Sequence, residues 1–109
     1  MSENLKYGLE EITLEKIRSV FSSFSQIESA ILYGSRAKGN YKLGSDIDIV
    51  LTGEKIDIIL LTEIKSELDD LLLPYIIDVT VHNMISNKDL LDHIQRVGVK
   101  IYDVKRIEG

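Results

Sequence analysis

The most constraining feature of this sequence is a short apolar run that opens with two aspartates on alternate residues. From Asp46 it reads Asp-Ile-Asp-Ile-Val-Leu, and branched apolar residues of this kind favour an extended strand. Alternate side chains of a strand point to one face of the sheet, so the run places Asp46 and Asp48 side by side. Adjacent carboxylates repel each other unless a cation lies between them, and Mg²⁺ prefers such oxygen ligands. Because an isolated Asp-x-Asp pair is more often a simple turn or strand start, the surrounding residues decide its meaning.

A glycine–serine pair upstream lies at the end of another apolar run. Ala30 to Tyr33 is typical of a strand, and Gly34 and Ser35 follow it directly. Because Gly34 has no side chain, a phosphate could approach the main-chain N–H groups there. Ser35 could cap a short helix and offer its hydroxyl as a donor. Alone, the pair indicates only a turn between a strand and a helix. Its place just before the two aspartates makes it a candidate phosphate-binding corner.

A third acidic residue lies in a later strand-like run that follows Pro74. This run reads Ile-Ile-Asp-Val-Thr-Val from Ile76, so that Asp78 is embedded among branched apolar residues. An unpaired buried charge is costly, and we therefore expect Asp78 to bind a metal ion or to pair with a buried partner.

The remaining sequence predicts helices that alternate with strands. Thr13 can cap a first helix, and Asn87 can cap a later one over residues 88–97 that ends at Gly98. Residues 99–102 then form a last short strand. Alternation of this kind predicts the α/β class, with a small mixed β-sheet flanked by helices.

A helix between Gly53 and Pro74 has more apolar residues than one sheet face requires. Its main apolar stripe consists of Leu61, Ile64, Leu68 and Leu71. Further apolar residues widen the stripe at both ends: Ile58, Ile59, Leu60, Leu72 and Leu73. The favoured interpretation is a crossover helix buried on all sides, and the alternative is a surface that covers another subunit or a partner.

Together these motifs resemble the minimal nucleotidyltransferases of the DNA polymerase β superfamily. The family pattern is a Gly-Ser corner, a short helix, an Asp-x-Asp pair and a later single Asp, present here as Gly34, Ser35, Asp46, Asp48 and Asp78. The resemblance covers residues 27–102 and implies a polymerase-β-like nucleotidyltransferase fold. We expect residues 1–109 to form a single domain of this kind.

The resemblance also implies a reaction and a set of site residues. Asp46, Asp48 and Asp78 would be catalytic and would hold two Mg²⁺ ions, which clamp the attacking and leaving oxygens of an in-line displacement. An acceptor hydroxyl would attack the α-phosphorus of a nucleoside triphosphate, with release of pyrophosphate. The implied nucleotide contacts are Gly34, Ser35, Arg36 and Ser45. The nearby Lys38 and Lys42 are more simply explained as solvated side chains.

The resemblance further implies a protein partner. In the minimal subfamily, a separate all-helical protein of the HEPN or substrate-binding type often supplies the acceptor within a toxin–antitoxin pair. By this resemblance the chain would be an antitoxin that transfers AMP from ATP to a tyrosine of its partner, in a hetero-oligomer or a homodimer.

Two other functions remain open from the sequence. One is a nucleotide-binding antitoxin that neutralises its partner by occlusion, without catalysis. The other is a nucleotidyltransferase for a small molecule such as an aminoglycoside, which needs an acceptor pocket that 109 residues have little room to build unless a homodimer supplies it.

Composition narrows the remaining classes of function. The formal net charge of -5 at pH 7 argues against broad nucleic-acid binding. Cysteine is absent, which excludes a disulfide framework or a thiolate metal site. No stretch resembles a signal peptide or a membrane span, so we expect a cytoplasmic protein without a membrane partner. His82 and His93 have no second metal-ligating residue at suitable spacing and are predicted to be structural or solvated.

Overall fold

Within residues 5–107, which the computed structural model describes, four strands form one mixed sheet. The strands are β1 (Ser29–Tyr33), β2 (Ile47–Thr52), β3 (Ile77–Val81) and β4 (Val99–Asp103). Their order across the sheet is β3-β2-β1-β4. β1 runs antiparallel to both β2 and β4, whereas β2 and β3 are parallel. The predicted α/β class with a small mixed sheet is confirmed.

Helices flank this sheet on both faces. They are α1 (Glu11–Ser22), α2 (Ser35–Lys38), α3 (Ile58–Asp69), α4 (Lys88–Val97) and α5 (Val104–Ile107), with a 3₁₀ turn at His82–Met84. The bounds of α4 agree with the prediction, whereas the short α5 was not predicted. None of the helices in the described part of the chain is long and apolar enough to cross a membrane.

Side-chain caps explain where two of the helices, α3 and α4, begin. The Asn87 side chain accepts hydrogen bonds from the N–H groups of Asp89 and Leu90, at 2.9 and 3.1 Å, and so caps α4 as predicted. Thr13 does not cap α1. The helix begins two residues earlier, at Glu11, and Thr13 is buried inside its first turn.

The two faces of the sheet bury separate apolar clusters. On one face, the apolar stripes of α1 and α3 pack against the alternate β2 residues Ile47, Ile49 and Leu51. On the other face, Ile94 of α4 packs against Tyr33 and Val50. The intervening β2 residue Asp48 therefore belongs to the α4 face, which is less thickly covered than the opposite face.

The ends of α3 are not buried as the favoured interpretation predicted. Leu61, Ile64 and Leu68 do form the buried stripe. However, Ile58, Ile59 and Leu72 are 63%, 72% and 87% exposed. The helix stops at Asp69, and Leu72 in the following turn is in the left-handed region, at a φ of 55°. A crossover helix buried on all sides is therefore wrong for this region.

Candidate active site

Gly34 forms the corner between β1 and α2, and its conformation requires glycine. Its φ is 78° and its ψ is -157°, a combination that residues with a side chain rarely adopt. A Cβ atom at this position would collide with the Asp48 carboxylate. Gly34 also occupies the N-cap position of α2, so the predicted capping role of Ser35 is wrong, and Ser35 is instead the first helical residue. The corner and the carboxylate approach each other because residue 34 has no side chain.

The strand register brings two of the predicted carboxylates together. Asp48 is paired with Tyr33 of β1 on one side and with Asp78 of β3 on the other. Paired residues of neighbouring strands present their side chains on the same face, with the strands about 4.8 Å apart. β2 begins at Ile47, so Asp46 lies just before the strand, in an exposed position two residues from Asp48. All three acids thus occupy one end of the α4 face.

Electrostatic repulsion links these carboxylates. Burial raises the pKa of Asp48, and the negative charges of Asp78 and Asp46 raise it further, whereas His93 lowers it. The same surroundings act on Tyr33, since burial followed by the charges of Asp48 and Asp78 raises its pKa to about 12. Asp78 itself is exposed, and the prediction that its charge would be embedded in the sheet is wrong.

The three carboxylates match a hard cation in chemistry, although they do not converge on a point. Among residues 5–107, no three His, Cys, Asp or Glu side chains form a ready-made group around a metal position. Mg²⁺ nevertheless prefers oxygen ligands, and a cation would relieve the repulsion among these carboxylates. The missing Cβ of Gly34 leaves space beside Asp48. Asp46 and Asp78 are exposed, so their side chains can rotate toward a bound ion.

His93 of α4 is a site residue that the sequence did not reveal. Its Nε2 atom accepts a hydrogen bond from the N–H of Gly34 at 3.1 Å, and its ring meets Tyr33 edge-on with centroids 6.2 Å apart. This hydrogen bond places the proton of a neutral imidazole on Nδ1. Because 59 residues separate His93 from Gly34, no local spacing could have indicated the contact.

Arg36 is buried beside the Gly34 corner. Its side chain is 3% exposed, and its guanidinium donates hydrogen bonds to the carbonyl oxygens of Ser45 and Tyr7. The side-chain donors are therefore engaged inside the protein, and the nucleotide-binding role of Arg36 stays a prediction. Lys38 and Lys42 are exposed, as expected for solvated side chains.

Ser45, the other predicted nucleotide contact in this loop, has a local hydrogen-bonding role. Its hydroxyl accepts a hydrogen bond from the N–H of Lys42 at 2.8 Å, and its own N–H donates to the Lys42 carbonyl at 2.9 Å. These bonds close a tight turn immediately before Asp46. Ser45 thus lies next to the carboxylates, with its side chain used to shape the loop.

Comparison with solved structures identifies the fold. A toxin–antitoxin crystal structure with AMP-PNP aligns at a TM-score of 0.69 and 22% identity, over 83% of this chain and 73% of that chain. The MntA-HepT toxin–antitoxin gives a TM-score of 0.66 and 18% identity over 89% and 75%. A tri-AMPylated Shewanella oneidensis HEPN toxin in complex with MNT antitoxin gives 0.65 and 18% over 90% and 76%. Together with the family model described as polymerase beta, nucleotidyltransferase, these similarities confirm the polymerase-β-like nucleotidyltransferase fold.

The sequence itself carries the family assignment. Curated proteins include none that matches this chain significantly. The family model described as polymerase beta, nucleotidyltransferase matches residues 15–107, which include the Gly34 corner and the three aspartates. Because this match spans most of the sequence and agrees with the fold, the chain belongs to the polymerase β nucleotidyltransferase family.

Proposed function

We propose that this chain is a Mg²⁺-dependent nucleotidyltransferase that transfers AMP from ATP to a hydroxyl group of a protein partner. The observation that carries the proposal is the placement of Asp48. It is paired with Asp78 across parallel strands and lies against the side-chain-free corner at Gly34. A phosphate-accessible backbone beside clustered carboxylates suits a metal-bound triphosphate.

The roles of the individual residues follow from their positions. Asp46, Asp48 and Asp78 would hold two Mg²⁺ ions, which when bound neutralise charge on the attacking and leaving oxygens. The unpartnered first N–H groups of α2, together with the Ser35 hydroxyl, would bind the triphosphate. His93 would keep the Gly34 corner in place through the hydrogen bond to its N–H.

The transfer step is an in-line displacement at the α-phosphorus of ATP. The acceptor oxygen forms a bond to the α-phosphorus while the bond from that phosphorus to the bridging α–β oxygen breaks. Pyrophosphate is the leaving group, and the acceptor proton passes to the carboxylate of Asp78. Asp78 suits this role because it is exposed at the end of the carboxylate cluster, where an incoming acceptor can reach it.

We further propose that the acceptor is a tyrosine of an all-helical HEPN-type partner and that the chain acts as its antitoxin. Support comes from the family membership and from similar folds described as toxin–antitoxin complexes, one of them with an AMPylated HEPN toxin. Exposed apolar residues at Ile58, Ile59 and Leu72 are compatible with a chain that works in a complex.

Transfer of label from α-labelled ATP tests the proposal. The chain would be incubated with Mg²⁺ and an all-helical HEPN-type protein as the candidate partner, and compared with an Asp46→Asn, Asp48→Asn double variant. A Glu15→Gln, Glu63→Gln variant removes the same amount of charge from exposed positions on α1 and α3, which pack on the opposite sheet face. We expect the partner to be labelled by the wild type and the control variant, and not by the aspartate variant.

The other functions give different results in the same assay. If the chain binds and inhibits the partner tightly but transfers no label from any of the four nucleoside triphosphates, it neutralises the partner by occlusion and not by catalysis. Label on an added aminoglycoside, with the protein partner unlabelled, would instead identify a small-molecule nucleotidyltransferase.

A further inference from the structure

Arg36 is a buried cation without a carboxylate partner in the described part of the chain. Its Nε and Nη2 atoms both donate to the carbonyl oxygen of Ser45, at 3.1 and 2.9 Å, and Nη1 donates to the carbonyl oxygen of Tyr7 at 2.9 Å. The rings of Tyr41 and Tyr75 lie 5.4 and 5.0 Å from its Cζ atom. Carbonyl oxygens and aromatic faces together replace the water that a buried guanidinium gives up.

These contacts join segments that are far apart in sequence. Arg36 is in α2, directly after the Gly34 corner, whereas Tyr7 belongs to an N-terminal arm, residues 5–9, that is closed by hydrogen bonds between Lys6 and Leu9. Tyr41 and Ser45 belong to the loop that leads into β2, so the guanidinium holds the arm, the corner and this loop in one arrangement.

The contact to Ser45 reaches the carboxylate cluster directly. The Ser45 carbonyl belongs to the peptide group that ends in the nitrogen of Asp46, and two donors from one planar guanidinium restrict how that peptide plane can rotate. Asp46 is exposed and precedes β2, and the peptide group that joins it to Ile47 is held by the Ile47 N–H, which donates to the Ile76 carbonyl at 2.9 Å. The peptide group on its other side is the one that Arg36 holds, so the orientation of Asp46 depends on both.

Gly8 is the feature that lets the arm approach. Its φ is 75°, and a Cβ atom there would lie 2.6 Å from a ring carbon of Tyr41 and 2.8 Å from Nη1 of Arg36. Both distances are far below van der Waals contact, so a side chain at residue 8 would separate the arm from the guanidinium or displace the tyrosine.

We propose that Arg36 is a positioning residue that clamps the N-terminal arm and the Ser45 carbonyl together and thereby sets the orientation of Asp46 at the proposed metal site. The clamp rests in part on the proposed function, because its value for the reaction requires Asp46 to bind metal. Its mechanical part, restraint of the loop before Asp46, stands on the hydrogen bonds alone.

The test measures loop restraint and metal affinity in the same set of full-length variants. Arg36→Lys keeps the positive charge but replaces the planar set of donors by a single ammonium group. Gly8→Ala keeps Arg36 and its charge in the sequence, and its Cβ would separate the arm from the guanidinium or displace Tyr41. Arg18→Lys is the matched control, because Arg18 also donates to a backbone carbonyl, that of Ile101 at 2.7 Å, and joins α1 to β4 away from the cluster.

Two readouts keep the clamp and the proposed function distinguishable. Hydrogen exchange at the Ser45 amide reports loop restraint without any ligand, and Mn²⁺ binding followed by electron paramagnetic resonance reports the metal site. We expect Arg36→Lys and Gly8→Ala to speed exchange at Ser45 and to weaken Mn²⁺ binding about tenfold or more, with both unchanged in Arg18→Lys.

Each other outcome has a defined meaning. Wild-type exchange and Mn²⁺ affinity in folded Arg36→Lys would overturn the clamp, and Gly8→Ala decides the question if Arg36→Lys fails to fold. If both variants exchange faster but the wild-type protein binds no Mn²⁺, the restraint of the loop by Arg36 is supported and the proposed metal site is rejected.

Discussion

The backbone N–H of Gly34 donates a hydrogen bond to Nε2 of His93, 3.1 Å away, across 59 residues of sequence. This bond ties the glycine corner to α4, the helix that covers the face of the sheet on which Asp48 lies. A histidine without a metal-ligand pattern thus becomes part of the proposed site through a main-chain contact.

Replacing His93 should impair transfer more than it impairs folding. The hydrogen bond is worth about 1 kcal/mol, and its loss lets the Gly34 corner move relative to Asp48. We expect His93→Ala to lower kcat/KM for AMP transfer about fivefold to tenfold, and His93→Gln to recover part of that loss because its amide oxygen can accept. His82→Ala, at an exposed position, should behave as wild type. Equal activity of His93→Ala and wild type would contradict the role of this bond.

Substituting Gly34 should destabilise the chain for two separate reasons. An alanine there must adopt a positive φ, which costs about 1–2 kcal/mol, and its Cβ collides with the Asp48 carboxylate. Gly39→Ala is the matched control, because Gly39 has a φ of 94° but a Cβ added there would meet no atom within 4 Å. Denaturant unfolding should show a larger loss for Gly34→Ala than for Gly39→Ala. Equal losses of stability in the two variants would mean that the contact between the new Cβ and the Asp48 carboxylate costs nothing.

Neutralising Asp48 should stabilise the metal-free chain while it abolishes transfer. The pKa of Asp48 is raised by burial and by Asp78 and Asp46, so the folded state favours the protonated carboxyl. Its favourable contribution is present below the ordinary value of 3.8 and is lost as the pH rises through the higher folded-state pKa. At pH 7 with a chelator, Asp48→Asn should therefore unfold at higher denaturant concentration than wild type.

Asp103 provides the control of opposite sign. Hydrogen bonds from Lys100 and from the N–H of Lys105 lower its pKa, so its contribution is present above 3.8 and is lost as the pH falls through the folded-state pKa. Asp103→Asn should consequently be less stable than wild type at pH 7. A fall in stability for both variants would show that burial and repulsion of the Asp48 charge do not dominate its effect on stability.

Tyr33 should make the chain sensitive to alkali. Its pKa is raised from 10.0 to about 12, so the neutral phenol is favoured in the folded state and stability falls as the pH rises from 10 toward 12. Tyr33→Phe removes this dependence, although Tyr102, whose pKa is also raised by burial, retains a share of it. Unfolding measured across this range should show a shallower loss of stability in Tyr33→Phe. Identical slopes would contradict the shift.

Local rules of the sequence determined much of the fold. The alternation at Asp46 and Asp48 predicted the strand that the structure begins at Ile47, with Asp46 just before it, and Asn87 with Gly98 marked the ends of α4. These patterns predict structure correctly because strand alternation and helix caps depend on residues only a few positions apart in the sequence. The same rules failed at Thr13 and Ser35, because Glu10 and Gly34 occupy the N-cap positions of these helices instead.

Tertiary structure alone decided how the site is assembled. The parallel pairing of Asp48 with Asp78, the bond from Gly34 to His93 and the burial of Arg36 between Tyr41 and Tyr75 all join distant segments. The exposure of Ile58 and Leu72 likewise depended on where α3 ends and how the chain turns after it. The sequence by itself determined the strands, the caps of α4 and the candidate acids, because those depend on near neighbours. The contacts among them were set by packing of the whole chain, in which each buried polar group must find a partner that local spacing does not specify.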